Sequence, residues 1–300
     1  MTSKEHNNVQ LEDTGERLIP SASKESVVYG EHISRYLAVI DLVKGKRVLD
    51  VASGTGYGSQ LLAGHARSVI GVDYSEGAIR YAEQHYGAKN LKYFVDDAER
   101  LEVVKDKSVD VVISMETIEH LKNPEKFVKQ VKRVLVPGGT FVVSTPNDDE
   151  YREGNDFHLH EFTFGELKKL IGKYFKKSNF YYQGNALATT FLDKNDHQSE
   201  FQREMLVQKT IAVPTKKAIY FIAIASDNKV ALPELRSSIA VSQHWNTKGF
   251  IEWDLKREKY IKDIEVENRR TKEELESIIA SRSWKVTKPL RQIARFLRRR

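Results

Sequence analysis

The stretch that decides the fold is Val48-Leu49-Asp50-Val51-Ala52-Ser53-Gly54-Thr55-Gly56-Tyr57-Gly58. An apolar, β-branched run carries an acid near its end, turns through closely spaced glycines and opens a helix. Glycine permits positive φ and lets backbone approach a ligand with no Cβ between them. A strand-to-helix turn can also use glycine with no ligand present, so the surrounding residues must decide. A dinucleotide fingerprint, G-x-G-x-x-G, would need its third glycine at Ser59. The spacing here is G-x-G-x-G, with Asp50 four residues before Gly54, which suits a ligand without a pyrophosphate for the helix N-terminus to hold.

Outward from this loop, short β-branched runs predict strands over 47–52, 68–72, 91–95, 109–114 and 140–144. Helical patterns lie between them, over 58–64, 76–86 and 124–135, and Pro137-Gly138-Gly139 stops the last. A helix over 27–43 precedes the series. Alternating strands and helices predict an α/β domain, a mostly parallel sheet with helices on both faces. The rhythm then breaks into a helix over 164–175, a strand over 179–183 and a buried strand over 218–226. The expected organisation is an N-terminal helix or lid over 1–44, a main domain over 45–226 and a linker over 227–248. A long charged helix over 249–281 and a basic tail over 282–300 complete it. Residues 184–215 read as an insertion at the sheet edge, placed to cover a substrate.

The chain of 300 residues is 40% hydrophobic and 30% charged, enough for one sizeable core with appendages. No apolar run approaches the length of a membrane span, and the polar start does not read as a signal peptide. Cysteine is absent, which excludes disulfide scaffolds, thiolate metal sites and cysteine nucleophiles, and fits a cytoplasmic protein. The net charge of +6 is unevenly placed. Eight of the 48 basic residues, and no acid, lie in 282–300, leaving 40 basic against 42 acidic residues in the body. A near-neutral body argues against nucleic acid as partner. Within 249–281, Ile261, Ile264, Asn268, Thr271, Leu275 and Ile278 step 3, 4, 3, 4, 3, the spacing of a coiled coil as well as of a helix packed on its own domain.

Four motifs in order resemble the class I S-adenosylmethionine (SAM) methyltransferases: the loop at 48–58, Gly71-Val72-Asp73-Tyr74-Ser75, Val95-Asp96-Asp97-Ala98-Glu99, and Arg133-Val134-Leu135-Val136-Pro137-Gly138-Gly139. The resemblance covers about residues 45–145. It implies a Rossmann-like seven-stranded sheet in the order 3-2-1-4-5-7-6, with a C-terminal helical extension here, and SAM as cofactor. It assigns Asp50, Ala52, Gly54, Gly56 and Tyr57 to the cofactor loop. Asp73 would take the ribose hydroxyls beside Tyr74, and Asp97, with Asp96 as the alternative, the adenine amino group next to Ala98. Met115 would line the pocket.

The fourth strand ends at Ser114-Met115-Glu116-Thr117-Ile118-Glu119-His120-Leu121. If a helical turn follows, Glu116, Glu119 and His120 share one face. This E-x-x-E-H element resembles those of the small-RNA 2′-O-methyltransferases and the ubiquinone-pathway O-methyltransferases. The resemblance implies a magnesium ion (Mg2+) held by Glu116, Glu119, His120 and a later histidine, for which His160 is chosen over His158. Without a metal, His120 reads as a general base or as a structural residue. Arg17, Glu31, His32, Arg35 and Tyr36 read either as a lid over the site or as a helix with its charges in water.

The order Gly15-Glu16-Arg17, Glu31-His32, Arg35-Tyr36, the glycine loop and His160-Glu161-Phe162 is similar to bacterial methyltransferases of cell-surface polysaccharide gene clusters. Ser281-Arg282-Ser283-Trp284-Lys285-Val286-Thr287-Lys288-Pro289-Leu290-Arg291 resembles a segment at domain ends in bacterial glycosyltransferases and their partner methyltransferases, departing at Lys288. The expectation is a SAM-dependent O-methyltransferase acting on a sugar hydroxyl. Alternatives are a small-molecule or quinone-precursor O-methyltransferase, an RNA 2′-O-methyltransferase and a non-catalytic SAM-binding scaffold. Residues 250–281 are the expected surface for a second copy or a glycosyltransferase partner. The basic tail is the expected contact with the inner face of the membrane.

Overall fold

The computed structural model describes residues 18–19, 27–148, 157–185, 218–228, 232 and 235 of a first unit, Met1–Ser242. In a second unit, Gln243–Arg300, it describes 262, 264, 266–277, 279–281 and 286. Most of the insertion, the linker and the basic tail lie outside the described residues.

The first unit begins with α1 (Val27–Ala38) and the short α2 (Ile40–Val43). The single helix expected over 27–43 breaks at Val39, where φ is −102° and ψ is 2°. The alternating series follows as β1 (Arg47–Val51), α3 (Tyr57–Ala63), β2 (Ser68–Asp73), α4 (Glu76–His85), β3 (Leu91–Val95), β4 (Val109–Ser114), α5 (Pro124–Val134) and β5 (Leu135–Pro146). α6 (Phe164–Tyr174), β6 (Lys177–Gln183) and β7 (Tyr220–Ser226) close it. Local chemistry sets the helix starts. Ser75 accepts the Ala78 N–H at α4, and Asn123 accepts the Lys126 N–H ahead of Pro124 at α5. Thr163 and Glu166 form a reciprocal capping box at α6.

The sheet has the order β3-β2-β1-β4-β5-β7-β6. The first five strands pair in parallel, and β7 lies antiparallel to both β5 and β6. The expected seven-stranded Rossmann-like order is therefore present. β5 starts five residues earlier than predicted. Leu135 pairs with Val109, and the ladder shifts register before resuming at Val111–Thr140. Strand alternation then sorts the core. Leu49, Val51, Val112, Phe141, Val143 and Ala223 face Phe127, Val131, Leu167 and Ile171 of α5 and α6. Val48, Val111, Ile113, Val142 and Ile222 face Tyr36, Leu62, Ile79 and Ala82 of α1, α3 and α4. With both faces covered, the carboxyl ends of the parallel strands are where an open α/β sheet binds ligands.

Candidate active site

Two non-glycine residues at that edge adopt left-handed backbone: Ala52, after β1, at φ 56°, and Glu116, after β4, at φ 51°. Each costs on the order of 1–3 kcal/mol, strain that clusters at functional sites. Gly54 lies between them in sequence at φ 53°, and a Cβ built there would meet no atom within 4 Å, so the bend presents open backbone.

Behind the bend the packing is tight. A Cβ at Gly58 would lie 2.1 Å from the Tyr36 ring. The Tyr36 hydroxyl donates to Asp50 at 3.2 Å, and Ser59 donates to the same carboxylate at 2.6 Å. Asp50 is fully buried, and burial raises its pKa to about 7 against the lowering effect of both hydrogen bonds. Asp50 thus holds the loop from its inner side and does not face the opening. Asp73, 3% exposed, joins the tip of β2 to the bend by accepting the Gly54 N–H at 2.9 Å through one oxygen and the Ser75 N–H at 2.9 Å through the other. Thr55 donates to the Leu18 carbonyl at 3.0 Å, which brings the segment before α1 against the loop.

The choice between Asp96 and Asp97 acquires a structural basis. Asp96 accepts the backbone N–H groups of Asp97 and Val103, closing its own loop. Asp97 is exposed, accepts the Glu99 N–H and lies 3.6 Å from Arg100. Ala98 and Tyr57 are half-buried, Tyr74 is exposed and Met115 is buried.

Glu31 and Arg35 of α1 do not carry their charges into water. Glu31 accepts the Tyr220 hydroxyl at 2.9 Å and the Asn185 side chain at 2.5 Å. Arg35 is 1% exposed, donates through Nη1 to Gln183 Oε1 at 2.8 Å, lies 3.9 Å from Glu116 and covers the Tyr220 ring at 4.4 Å. His32 Nδ1 lies 2.8 Å from the Tyr57 hydroxyl. Burial and then the Arg35 charge hold its pKa well below the ordinary value, so it stays neutral. Arg17 lies outside the described residues.

The turn after β4 corrects the expected carboxylate pair. Positive φ at Glu116 sends its side chain away from the short 3-10 turn Ile118–His120. Glu116 meets Ser144, which donates to it at 2.8 Å, and Arg35. Glu119 is fully buried, accepts from the Thr145 hydroxyl at 3.0 Å and lies 3.9 Å from His120 Nε2. Burial, and then the Glu116 charge, push its pKa well above the usual carboxylate range. His158, not His160, completes this group: ligand atoms of Glu119, His120 and His158 lie within 4.8 Å of one another. His160 donates its backbone N–H to the Glu119 carbonyl while its ring packs on Phe162. His120 Nδ1 lies 2.9 Å from the Phe157 carbonyl, which can only accept, so Nδ1 carries the proton and the neutral ring keeps a basic Nε2. His158 Nδ1 is held at 2.6 Å by Glu161.

Among the described residues, the buried side-chain atoms without a hydrogen-bond partner are Arg35 Nε and Nη2, Ser53 Oγ, Ser114 Oγ, Glu119 Oε1 and Glu161 Oε2. All belong to the bend, to the ends of β4 and β5, or to the segments over them. Buried polar atoms are ordinarily satisfied, so this concentration fits a polar ligand at the edge. Ser53 and the buried face of Arg35 give the SAM reading donors that the motifs alone did not supply. Glu119 Oε1 beside two imidazoles fits a cation with mixed nitrogen and oxygen ligands, a donor set closer to the borderline divalent metals than to magnesium.

Residues 49–143 match a family model. It describes the methyltransferase domain. The matched residues run from β1 to β5. Over 163 residues the chain is 37% identical to a Mycolicibacterium smegmatis protein named "Probable S-adenosylmethionine-dependent methyltransferase", covering 53% of this chain and 62% of that one. It is 36% identical over 164 residues to a similarly named Mycobacterium tuberculosis protein, covering 53% and 58%. A Coxiella burnetii ubiquinone biosynthesis O-methyltransferase is 37% identical over 116 residues, covering 38% and 49%. The chain thus spans 62% or less of the length of these curated relatives. In fold, the chain is similar to a SAM-dependent methyltransferase structure from Thermotoga maritima, at TM-score 0.50 and 21% identity, covering 71% of this chain and 97% of that one. A chain from a Haloferax volcanii complex of a methyltransferase with the Trm112 activator matches at TM-score 0.50 and 18% identity, covering 71% and 98%. Among the described residues, no helix is long and apolar enough to cross a membrane.

Proposed function

We propose that the chain is a SAM-dependent O-methyltransferase acting on a sugar hydroxyl of a bacterial surface glycan or its precursor. The observation that carries the reading is the set of unsatisfied buried polar atoms around the glycine bend and the end of β4. Asp73 would hold the ribose, Asp97 the adenine, and Ser53 with Arg35 the polar aminoacyl end. SAM supplies a methyl group already activated by a sulfonium, so the protein must mainly orient the acceptor and keep water out. His120 Nε2 would take the acceptor's proton. Half-buried His120 and His158 are within reach of an acceptor from solvent, which supports this role.

The near-neutral body weighs against an RNA acceptor, for which phosphate contacts dominate affinity. The similarity to a ubiquinone biosynthesis O-methyltransferase favours a small-molecule or quinone-precursor acceptor as the alternative. The eight basic residues of the tail favour peripheral contact with an anionic membrane face, at about 1 kcal/mol per charge near such a surface. A divalent cation at Glu119, His120 and His158 is a second reading, favoured by the unpartnered Glu119 Oε1.

A radiolabelled methyl-transfer assay against nucleotide sugars, isolated glycan, quinone precursors and RNA tests this, repeated after exhaustive chelation. Label should enter the sugar, and His120→Ala should lower kcat by about 10²–10⁴-fold. Label in RNA or quinone precursor alone would refute the acceptor. Rates unchanged by chelation would remove the cation, and no uptake of S-adenosylhomocysteine by calorimetry would remove the whole reading.

A further inference from the structure

The second unit contains helical residues between 262 and 280, and every described residue among them is exposed, including Ile264 at 39%, Leu275 at 53% and Ile279 at 47%. Ile264, Leu275 and Ile279 share one stripe, with Val266, 64% exposed, off it, and an apolar stripe in water calls for a partner. The sequence spacing puts Ile261, Asn268 and Leu275 at a positions of a heptad and Ile264, Thr271 and Ile278 at d positions. Glu267 and Glu274 then occupy g, and Glu265, Lys272 and Ile279 occupy e.

Charge decides the occupant and its direction. In a parallel pair, a g residue meets the e residue five positions on in the other chain. Glu267 then faces the partner's Lys272, twice by symmetry, and Glu274 faces the partner's Ile279, so no like charges meet. Glu274 is already engaged on its own helix by Arg270 at 3.2 Å. In an antiparallel pair with the same core layers, Glu267 would face the partner's Glu274 twice, cancelling the gain from Glu265 and the partner's Lys272. Asn268 points the same way. A single a-position asparagine bonds its own copy across a parallel, in-register dimer, fixing register and oligomer state at some cost in stability.

We propose that residues 262–280 are the docking surface for a second copy of this chain, parallel and in register. The proposal does not depend on the methyl-transfer reading. Sedimentation equilibrium of the full chain tests it. The wild type should be a dimer, and Glu267→Lys and Lys272→Glu should each weaken it by about tenfold. The double exchange should restore the affinity. These residues are exposed, so the melting of the first unit should not move. The chain has no cysteine, so Ile264→Cys gives one reporter, expected to form a disulfide-linked dimer on mild oxidation. In the antiparallel pair the two reporters would lie about 16 Å apart along the axis and could not bond. A wild-type monomer or trimer, a dimer tightened by Glu267→Lys, or an Ile264→Cys chain that stays unlinked would each overturn the proposal.

Discussion

Gly58 has room for a hydrogen and nothing larger, because the Tyr36 ring lies across it. That contact holds the Tyr36 hydroxyl on Asp50 and so fixes the bend that faces the ligand. Gly58→Ala should push the ring aside, costing about 1–3 kcal/mol in urea unfolding and weakening S-adenosylhomocysteine binding in the same protein. Equal stability and affinity would show that the ring can give way freely. Residue-scale reading of the sequence singled out the glycines, Asp73 and His120 by type and spacing, and the structure lays them along the carboxyl edge of the parallel strands. That reading misplaced Glu116 because left-handed backbone at a non-glycine residue leaves no trace in periodicity. His158 displaced His160 for a similar reason: the loop is set by the Leu159 and His160 N–H groups bonding the Glu119 carbonyl, a contact no local pattern announces.

At the scale of elements, Gln183 is one of the side chains that tie α1 to the sheet. Gln183, at the end of β6, donates to the Glu31 carbonyl at 3.0 Å and to Ser34 Oγ at 2.9 Å, and accepts from Arg35. Gln183→Ala should raise hydrogen exchange across 27–38 by about an order of magnitude, leave the protection of β1 and β4 unchanged and weaken cofactor binding. Exchange that rises equally throughout the sheet would instead mark global loss of stability. The strands at 91–95 and 109–114 were legible to the residue, since both are short runs rich in β-branched and aromatic side chains. β5 was not, because Pro137-Gly138-Gly139 looks like a stop when the partner strand that accommodates the irregularity is unseen. Arg35 read equally as part of a lid or as a charge in water, since its hydrogen bond is to a residue 148 positions away.

For the whole molecule, the buried Asp50 ties stability to pH. Its pKa is about 7 in the folded state against about 3.9 unfolded, so between those values the folded chain binds the extra proton. Its contribution is full below about pH 4 and is lost as pH rises through about 7. Asp50→Asn should therefore flatten the decline between these limits in unfolding free energy measured against pH, and an unchanged difference curve would contradict the assignment. The sheet's connectivity adds a constraint on how the chain is made. β7 is the last strand in sequence among the described residues, yet it sits between β5 and β6 and is the neighbour to which both pair. During synthesis, β5 keeps an open edge and β6 has no place in the sheet until residues 220–226 leave the ribosome. A nascent chain stalled before that point should be the species most prone to aggregate and most in need of a chaperone.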